Sequence, residues 1–395
     1  MRVLFLPSFY PSLGRPGLGL FFRKQAVALS RAGCDVHVLY WEPRSLRKLS
    51  IAGLRNTFSV KEEHVEGVLE FRRLGWNPGL ASVGGVDLWS RFVRGLMRRY
   101  LARHGEPDVI HAHNAWAAGF AAHQIRMEYG FPYVLTEHSS TVLSARQLPV
   151  SHRRILEAAY GDAGKVIAVS QAMSDAIAPL APAPPCVIPN CVFAEFFTLP
   201  PTPRQSGIFQ FVCAANLIEL KGIHILLRAF SAVFKGNMAV VLKIAGDGPR
   251  GTQLKNLARD LGIWDQVTWL GQLTHGRLLE ELWSSHCFVL PSYRETFGVV
   301  LIEAMATGLP VVGTRCGGPE EIIGEGSGLL APPGDVEGLS KALRAATLRR
   351  WDSDAIRRSA VSRYDAPVIA NQLIAIYERV LRAPVSQGFA ALQAH

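Results

Sequence analysis

Pro291-Ser292-Tyr293-Arg294-Glu295-Thr296-Phe297-Gly298-Val299-Val300-Leu301-Ile302-Glu303-Ala304-Met305-Ala306-Thr307-Gly308-Leu309-Pro310-Val311-Val312 carries a full structural transition. The run Cys287–Leu290 just before it is wholly apolar, the pattern of a strand buried on both faces. Pro291 ends that strand, and Gly298 supplies the flexible point of a loop. Val299–Thr307 then reads as a helix, stopped by Gly308 and Pro310. Val311–Gly313 starts the next buried strand. Strand, loop, helix and strand in this order build a parallel α/β sheet. Two carboxylates stand out in the segment, Glu295 in the loop and Glu303 inside an otherwise apolar helix. Backbone N–H groups of such a loop and helix start attract anions. A carboxylate buried like Glu303 needs donors, because unpaired burial is costly.

The same alternation runs through the whole chain of 395 residues. In the first half, strands are expected at Val3–Leu6, Val36–Tyr40, Val109–His113, Tyr133–Thr136 and Val166–Val169, with helices such as Phe22–Arg31 and Ala115–Tyr129 between them. Prolines crowd the stretch from Pro179 to Pro203 around one short strand, Cys186–Ile188, which suits an interdomain connection. The pattern then restarts with strands at Phe209–Ala214, Ala239–Ala245, Val267–Leu270, Cys287–Leu290 and Val311–Gly313. Helices are expected at Gly222–Phe234, Gln253–Leu261 and Val299–Thr307, and a final amphipathic one at Pro367–Leu381. The expected organisation is an α/β fold of two Rossmann-like domains, residues 1–190 and 191–365, followed by a helix and tail over 366–395. Ligands of open α/β sheets bind beyond the carboxyl ends of the strands, so two such domains imply a shared cleft.

Composition narrows the class. Hydrophobic residues make up 49% and charged residues 19%, which fits a well-buried globular chain. Cys34, Cys186, Cys191, Cys213, Cys287 and Cys316 form no Cys-x-x-Cys pair and read as reduced thiols. The apolar start, Val3–Leu6, is too short for a signal peptide, and no run is long enough to cross a bilayer. A cytoplasmic location is expected. Residues 1–190 hold 22 of the 42 Lys and Arg but only 14 of the 32 acidic residues, so most of the net +10 falls there. Its densest part is Arg91, Arg94, Arg98, Arg99 and Arg103, interleaved with apolar residues at helical spacing. This is either a solvated helix face or a peripheral contact with an anionic membrane surface. No recognition motif for nucleic acid accompanies the charge.

Further candidates end strands or open helices. Ala214-Ala215-Asn216-Leu217-Ile218-Glu219-Leu220-Lys221-Gly222 follows a strand, and its ammonium group can neutralise an anion as charge develops. Gly14-Arg15-Pro16-Gly17-Leu18-Gly19 precedes the first helix, but Phe22 stands where a dinucleotide fingerprint needs its third glycine, which argues against NAD. His111, His113 and His138 end two strands. A zinc site made from these three histidines lacks a fourth ligand at suitable spacing. Asp352-Ser353-Asp354 reads as a helix cap, not as a metal-binding pair.

The 291–312 segment closely resembles the Glu-x7-Glu motif of family-4 retaining glycosyltransferases, which have the GT-B fold. Ile244-Ala245-Gly246-Asp247-Gly248-Pro249, Gly317-Gly318-Pro319-Glu320-Glu321 and Gly328-Leu329-Leu330 are also similar to that family. The resemblance implies two facing Rossmann-like domains, with the C-terminal helix packing back toward the first. It implies transfer of a sugar from a nucleoside-diphosphate sugar to a hydroxyl of a lipid-linked or polysaccharide glycan, with retention. Glu295, His138 and Lys221 would be catalytic. Glu303 would hold the ribose. Phe297, Gly298, Val299, Asn216, Gly246, Gly17 and Gly19 would line the donor site, and His113 and Arg294 the acceptor side. No metal and no cofactor beyond the donor are expected. The sequence departs from the family at Asn216, where an arginine is usual; Arg294 or Arg315 could supply that charge. The alternatives are a non-catalytic sugar-nucleotide binder and a nucleotide-sugar epimerase of the same architecture.

Overall fold

The computed structural model describes residues 1–12, 17–44, 59–204 and 207–383. Gly14, Arg15 and Pro16 of the glycine loop and the tail beyond Ala383 lie outside the described residues. Contacts divide the chain into two units. One is Met1–Asn190 with the segment from Ala366 onward, the other Cys191–Asp365.

The first unit runs β1 (Arg2–Pro7), α1 (Leu20–Arg31), β2 (Asp35–Arg44), β3 (Val60–Val65), β4 (Val68–Trp76), α2 (Val83–His104), β5 (Val109–His113), α3 (Phe120–Tyr129), β6 (Tyr133–Glu137), α4 (Val150–Gly161), β7 (Lys165–Ala168), α5 (Gln171–Ile177) and β8 (Cys186–Val187). The sheet order is β3-β4-β2-β1-β5-β6-β7-β8. Every pairing is parallel except the hairpin β3–β4. The central strands β5 and β6 are buried throughout, polar residues His111, His113, Thr136 and Glu137 included, as strands in the middle of a parallel sheet are. On α2, Trp89, Val93, Leu96, Met97 and Tyr100 face the core, whereas Arg91, Arg98, Arg99 and Arg103 stay exposed.

The second unit runs β9 (Phe209–Ala214), α6 (Ile223–Phe234), β10 (Val240–Ala245), α7 (Gly251–Asp260), β11 (Val267–Gly271), α8 (His275–Ser284), β12 (Cys287–Leu290), α9 (Val299–Ala306), β13 (Val311–Thr314), α10 (Gly318–Ile322), β14 (Gly328–Ala331), α11 (Val336–Leu348) and α12 (Ser353–Tyr364). Its sheet, β11-β10-β9-β12-β13-β14, is parallel throughout. Asp352 caps α12 by accepting the Ala355 N–H at 2.9 Å. The last helix, α13 (Ala366–Arg382), returns to the first unit and packs on α1 and β6. A buried hydrogen bond of 2.7 Å between the Tyr377 hydroxyl and His111 Nδ1 fixes it there.

Several sequence expectations need correction. The hairpin β3–β4 was not expected, because β3 (Val-Lys-Glu-Glu-His-Val) is mostly exposed and carries no apolar alternation. Its turn is Glu66-Gly67, both at positive φ (51° and 85°), as a two-residue hairpin requires. The helix expected over Ala115–Tyr129 opens instead with a π-helical turn, Ala115–Gly119, before α3. The proline-rich stretch is not a free linker. Its first part leads into β8 on the sheet edge. Its second part is fastened inside the second unit, where Arg357 donates to the Ala194 carbonyl at 2.9 Å and also to that of Phe197.

Candidate active site

In the second unit, three loops meet at the carboxyl ends of β9, β10 and β12. After β9 the chain makes a tight turn, Glu219–Lys221. The Tyr293 N–H donates to the Leu220 carbonyl at 2.9 Å, which ties the loop after β12 to that turn. Lys221 and Glu295, named separately from sequence, are brought together: the ammonium forms an ion pair with Glu295 Oε1. The same carboxylate accepts from Ser292 Oγ at 2.9 Å and is 9% exposed. The Glu295 backbone is held on both sides, donating to the Cys316 carbonyl at 3.2 Å and accepting from the Gly318 N–H at 3.1 Å. A carboxylate so fixed is preorganised instead of sweeping through solvent.

Three residues on, Gly298 enters α9 at φ 103°, a conformation that favours glycine. No side chain caps this helix start, so its first N–H groups remain available to an anion. Phe297 is buried with its ring edge-on to Tyr364 at 5.6 Å, so its backbone and not its ring is the usable part. Val299 is half-buried in the first turn. Glu303 is 3% exposed, with His275 Nε2 3.7 Å from its Oε1. Sequence reasoning missed His275, because a lone histidine at a helix start carries no spacing signal. Gly246 approaches so closely that a Cβ would lie 1.9 Å from the Ala215 carbonyl oxygen, and only glycine fits. The Leu217 N–H donates to the Asp247 carbonyl at 2.9 Å, tying the loop that carries Asn216 to the loop after β10. Asn216, Arg294 and Arg315 are exposed. Arg250, also missed from sequence, forms an ion pair with Glu219, two residues before Lys221.

In the first unit the histidines separate into two roles. Both ring nitrogens of His111 are engaged, by Tyr377 and by Thr136 Oγ1 at 2.7 Å, so His111 is a packing residue and the three-histidine zinc reading loses a ligand. His113 Nδ1 and His138 Nε2 lie 3.3 Å apart, while His113 Nε2 and His138 Nδ1 are buried without a partner among the described residues. Burial holds His138 down to about 3 and His113 well below the ordinary range, so both are neutral at physiological pH. Gly17 is exposed and Gly19 buried at the start of α1. The helix they open sets Phe21 and Phe22 5.0 and 4.9 Å from the His138 ring. Glu137 is fully buried and accepts from the N–H groups of Ala115, His138 and Ser139 and from the Tyr160 hydroxyl at 2.8 Å. Burial raises its pKa against the pull of those four donors. Glu137 therefore anchors both loops, including the π-helical turn.

Residues 17–196 match the profile described as Glycosyltransferase Family 4, and residues 200–361 that of Glycosyl transferases group 1. A phosphatidyl-myo-inositol mannosyltransferase of Mycobacterium leprae is 31% identical over 312 residues, covering 74% of this chain and 78% of that one. This chain belongs to glycosyltransferase family 4. Another family-4 relative, TuaC of Bacillus subtilis, is described as a glycosyltransferase of teichuronic acid biosynthesis. It is 27% identical over 98% of this chain and the whole of its own length. The solved structure of HepE from Anabaena in complex with UDP aligns with TM-score 0.71 at 22% identity, covering 96% of this chain and all of that one. The two-sheet architecture is that of the GT-B glycosyltransferases. Among the described residues of this family-4 enzyme, no helix is long and apolar enough to cross a membrane.

Proposed function

We propose that this glycosyltransferase moves a hexose-type unit from a nucleoside-diphosphate sugar to a hydroxyl of a lipid-linked or polysaccharide glycan, with retention at the anomeric carbon and without a metal ion. The observation that carries the reading is the Lys221–Glu295 ion pair, set just ahead of an uncapped helix start in a segment whose helix also buries Glu303. Glu303 takes the ribose hydroxyls as its donors. The α9 amides and the Lys221 ammonium take the diphosphate, the place where negative charge grows as the bond to the sugar breaks. Glu295 is then freed toward the sugar hydroxyls, and His138, neutral through burial, is the catalytic candidate of the first unit. Asn216 and the close turn at Gly246 border the nucleotide, and His113 and Arg294 belong to the acceptor side. The bond from the anomeric carbon to the leaving phosphate oxygen breaks with its electron pair on that oxygen. The acceptor oxygen bonds to the same face of the carbon and gives its proton to the departing phosphate. UDP in HepE supports a nucleotide donor, and the relatives' names support a glycan or lipid acceptor. We place the enzyme in the cytoplasm, touching the inner membrane face through the exposed arginines of α2. Proton NMR of the first-formed product, in chelator-treated buffer, tests the reaction: the donor's anomeric configuration is expected in the product, and an inverted product or an absolute need for added Mg²⁺ would contradict it.

A further inference from the structure

The first unit contains a cavity of 390 Å³ that the proposed chemistry does not use. It lies beyond the carboxyl ends of β5 and β6, since Trp116 follows the one strand and Ser139 and Thr141 follow the other. From its contents we infer that this cavity binds a neutral pyranose ring, the sugar unit of the acceptor, resting on the transferase reading above.

The walls carry the argument. Trp116, Leu148 and Leu156 provide apolar surface. Trp116 is fixed at both ends: its Nε1–H donates to the Leu80 carbonyl at 2.7 Å, and His152 stacks on it at 4.6 Å with an interplanar angle of 8°. An indole held this way is a rigid apolar wall. The Ser139 and Thr141 hydroxyls and the His152 ring add polar groups to the lining. A pyranose has the matching character, with an apolar C–H face and a ring of hydroxyls at its edge. Charge sets the class. Among the described residues no lysine or arginine lines the cavity, and the one acid in its wall is Glu137, whose carboxylate is already supplied with four donors. A phosphate or carboxylate would find no counter-charge there and would face an acid instead. Size separates ring from chain: the volume is at the low end of the ~300–1,000 Å³ of small-molecule sites, room for a ring or two and not for a long lipid chain.

Saturation-transfer NMR on the full-length protein with saturating UDP tests this, using methyl glucopyranoside and methyl mannopyranoside as neutral probes. Glucuronic acid, glycerol 3-phosphate and hexanol are the charged and apolar controls. The same probes are applied to Ala81→Trp, a substitution at an exposed residue of the cavity mouth. A neutral pyranoside should give signal in the parent protein and lose it in Ala81→Trp, with UDP binding and the melting temperature unchanged. If Ala81→Trp does not fold, Thr141→Trp plugs the cavity from another exposed position. Persistent pyranoside signal in a folded plugged variant, no pyranoside signal in the parent, or preference for the acids or hexanol would each overturn the inference. Absence of UDP binding in the parent would instead count against the transferase reading, so the two failures are distinct.

Discussion

Replacing Lys221 by Met separates the structural from the catalytic share of the Lys221–Glu295 pair. The substitution leaves the Glu295 carboxylate 9% exposed with Ser292 Oγ at 2.9 Å as its remaining side-chain donor. Breaking a fully buried pair costs ~3–5 kcal/mol. The Lys221 side chain keeps 23% of its surface, so after solvent screening about 1–2 kcal/mol is expected. For a domain of this size that lowers the melting temperature by roughly 2–8 °C. The catalytic loss is larger, because a cation at the leaving diphosphate contributes on the order of 10²–10³ in kcat. The double variant Lys221→Met with Glu295→Gln tells the two apart. Removing the stranded charge should recover most of the stability and none of the turnover, measured by scanning calorimetry and by nucleoside-diphosphate release. A double variant that regains turnover with stability, or a Lys221→Met enzyme with parental kcat, would refute the role given to the ammonium.

Three further outcomes follow from other parts of the molecule. His111 and His138, both held near 3 by burial, and His113, held well below its ordinary value, stay unprotonated in the fold while the unfolded chain takes up protons below about 6.5. Stability is therefore complete above that value and is lost as pH falls, by about 2 kcal/mol per histidine between pH 7 and 5; a urea midpoint that does not move over this range would contradict the burial argument. Tyr377→Phe strands His111 Nδ1 in the core and should cost ~1–3 kcal/mol in urea unfolding while leaving nucleotide affinity unchanged; equal stability would mean the bond is not formed. Arg98→Gln with Arg99→Gln should weaken binding to anionic vesicles by about tenfold or more, at about 1 kcal/mol per arginine near the surface; unchanged cosedimentation would remove the membrane contact. Arg94 is the poorer choice, because it is half-buried and pairs with Glu128 at 3.0 Å, whereas exposed Arg98 lies 4.0 Å from the same carboxylate.

The elements that sequence reasoning located best are those whose own residues determine them. Cys287–Leu290 is an apolar run and Phe209–Ala214 is apolar but for Gln210, and both are strands with the expected bounds. Asp352 caps a helix because its short carboxylate is matched to the N–H three residues on. The reading weakened wherever the cause was tertiary. The exposed strand β3 exists only because β4 offers it a partner. The π-helical turn is held by Glu137, a residue 22 positions away from Ala115. His111 and His113 share a strand face and look alike in sequence. What divides them is a hydroxyl on α13 that reaches one and not the other. Their places in loops after strands, and the family resemblance, marked Glu295 and Lys221 as separate candidates, but their ion pair depends on how the loops after β9 and β12 meet. His275 next to Glu303 had no signal in the sequence at all.

The most direct test of the central claim is isothermal calorimetry of the purified protein with UDP-, GDP- and ADP-sugars in chelator-treated buffer, repeated with Glu303→Ala. Two charge-assisted hydrogen bonds from ribose to Glu303 are lost in the variant, partly offset because binding no longer displaces His275. The expected net loss is ~2–3 kcal/mol, a weakening of about 30–150-fold. Saturable binding of one nucleotide sugar to the parent, weakened to that extent in a folded variant, is the expected result. A folded parent protein that binds none of the three, or a Glu303→Ala variant that binds as tightly as the parent, would contradict the account.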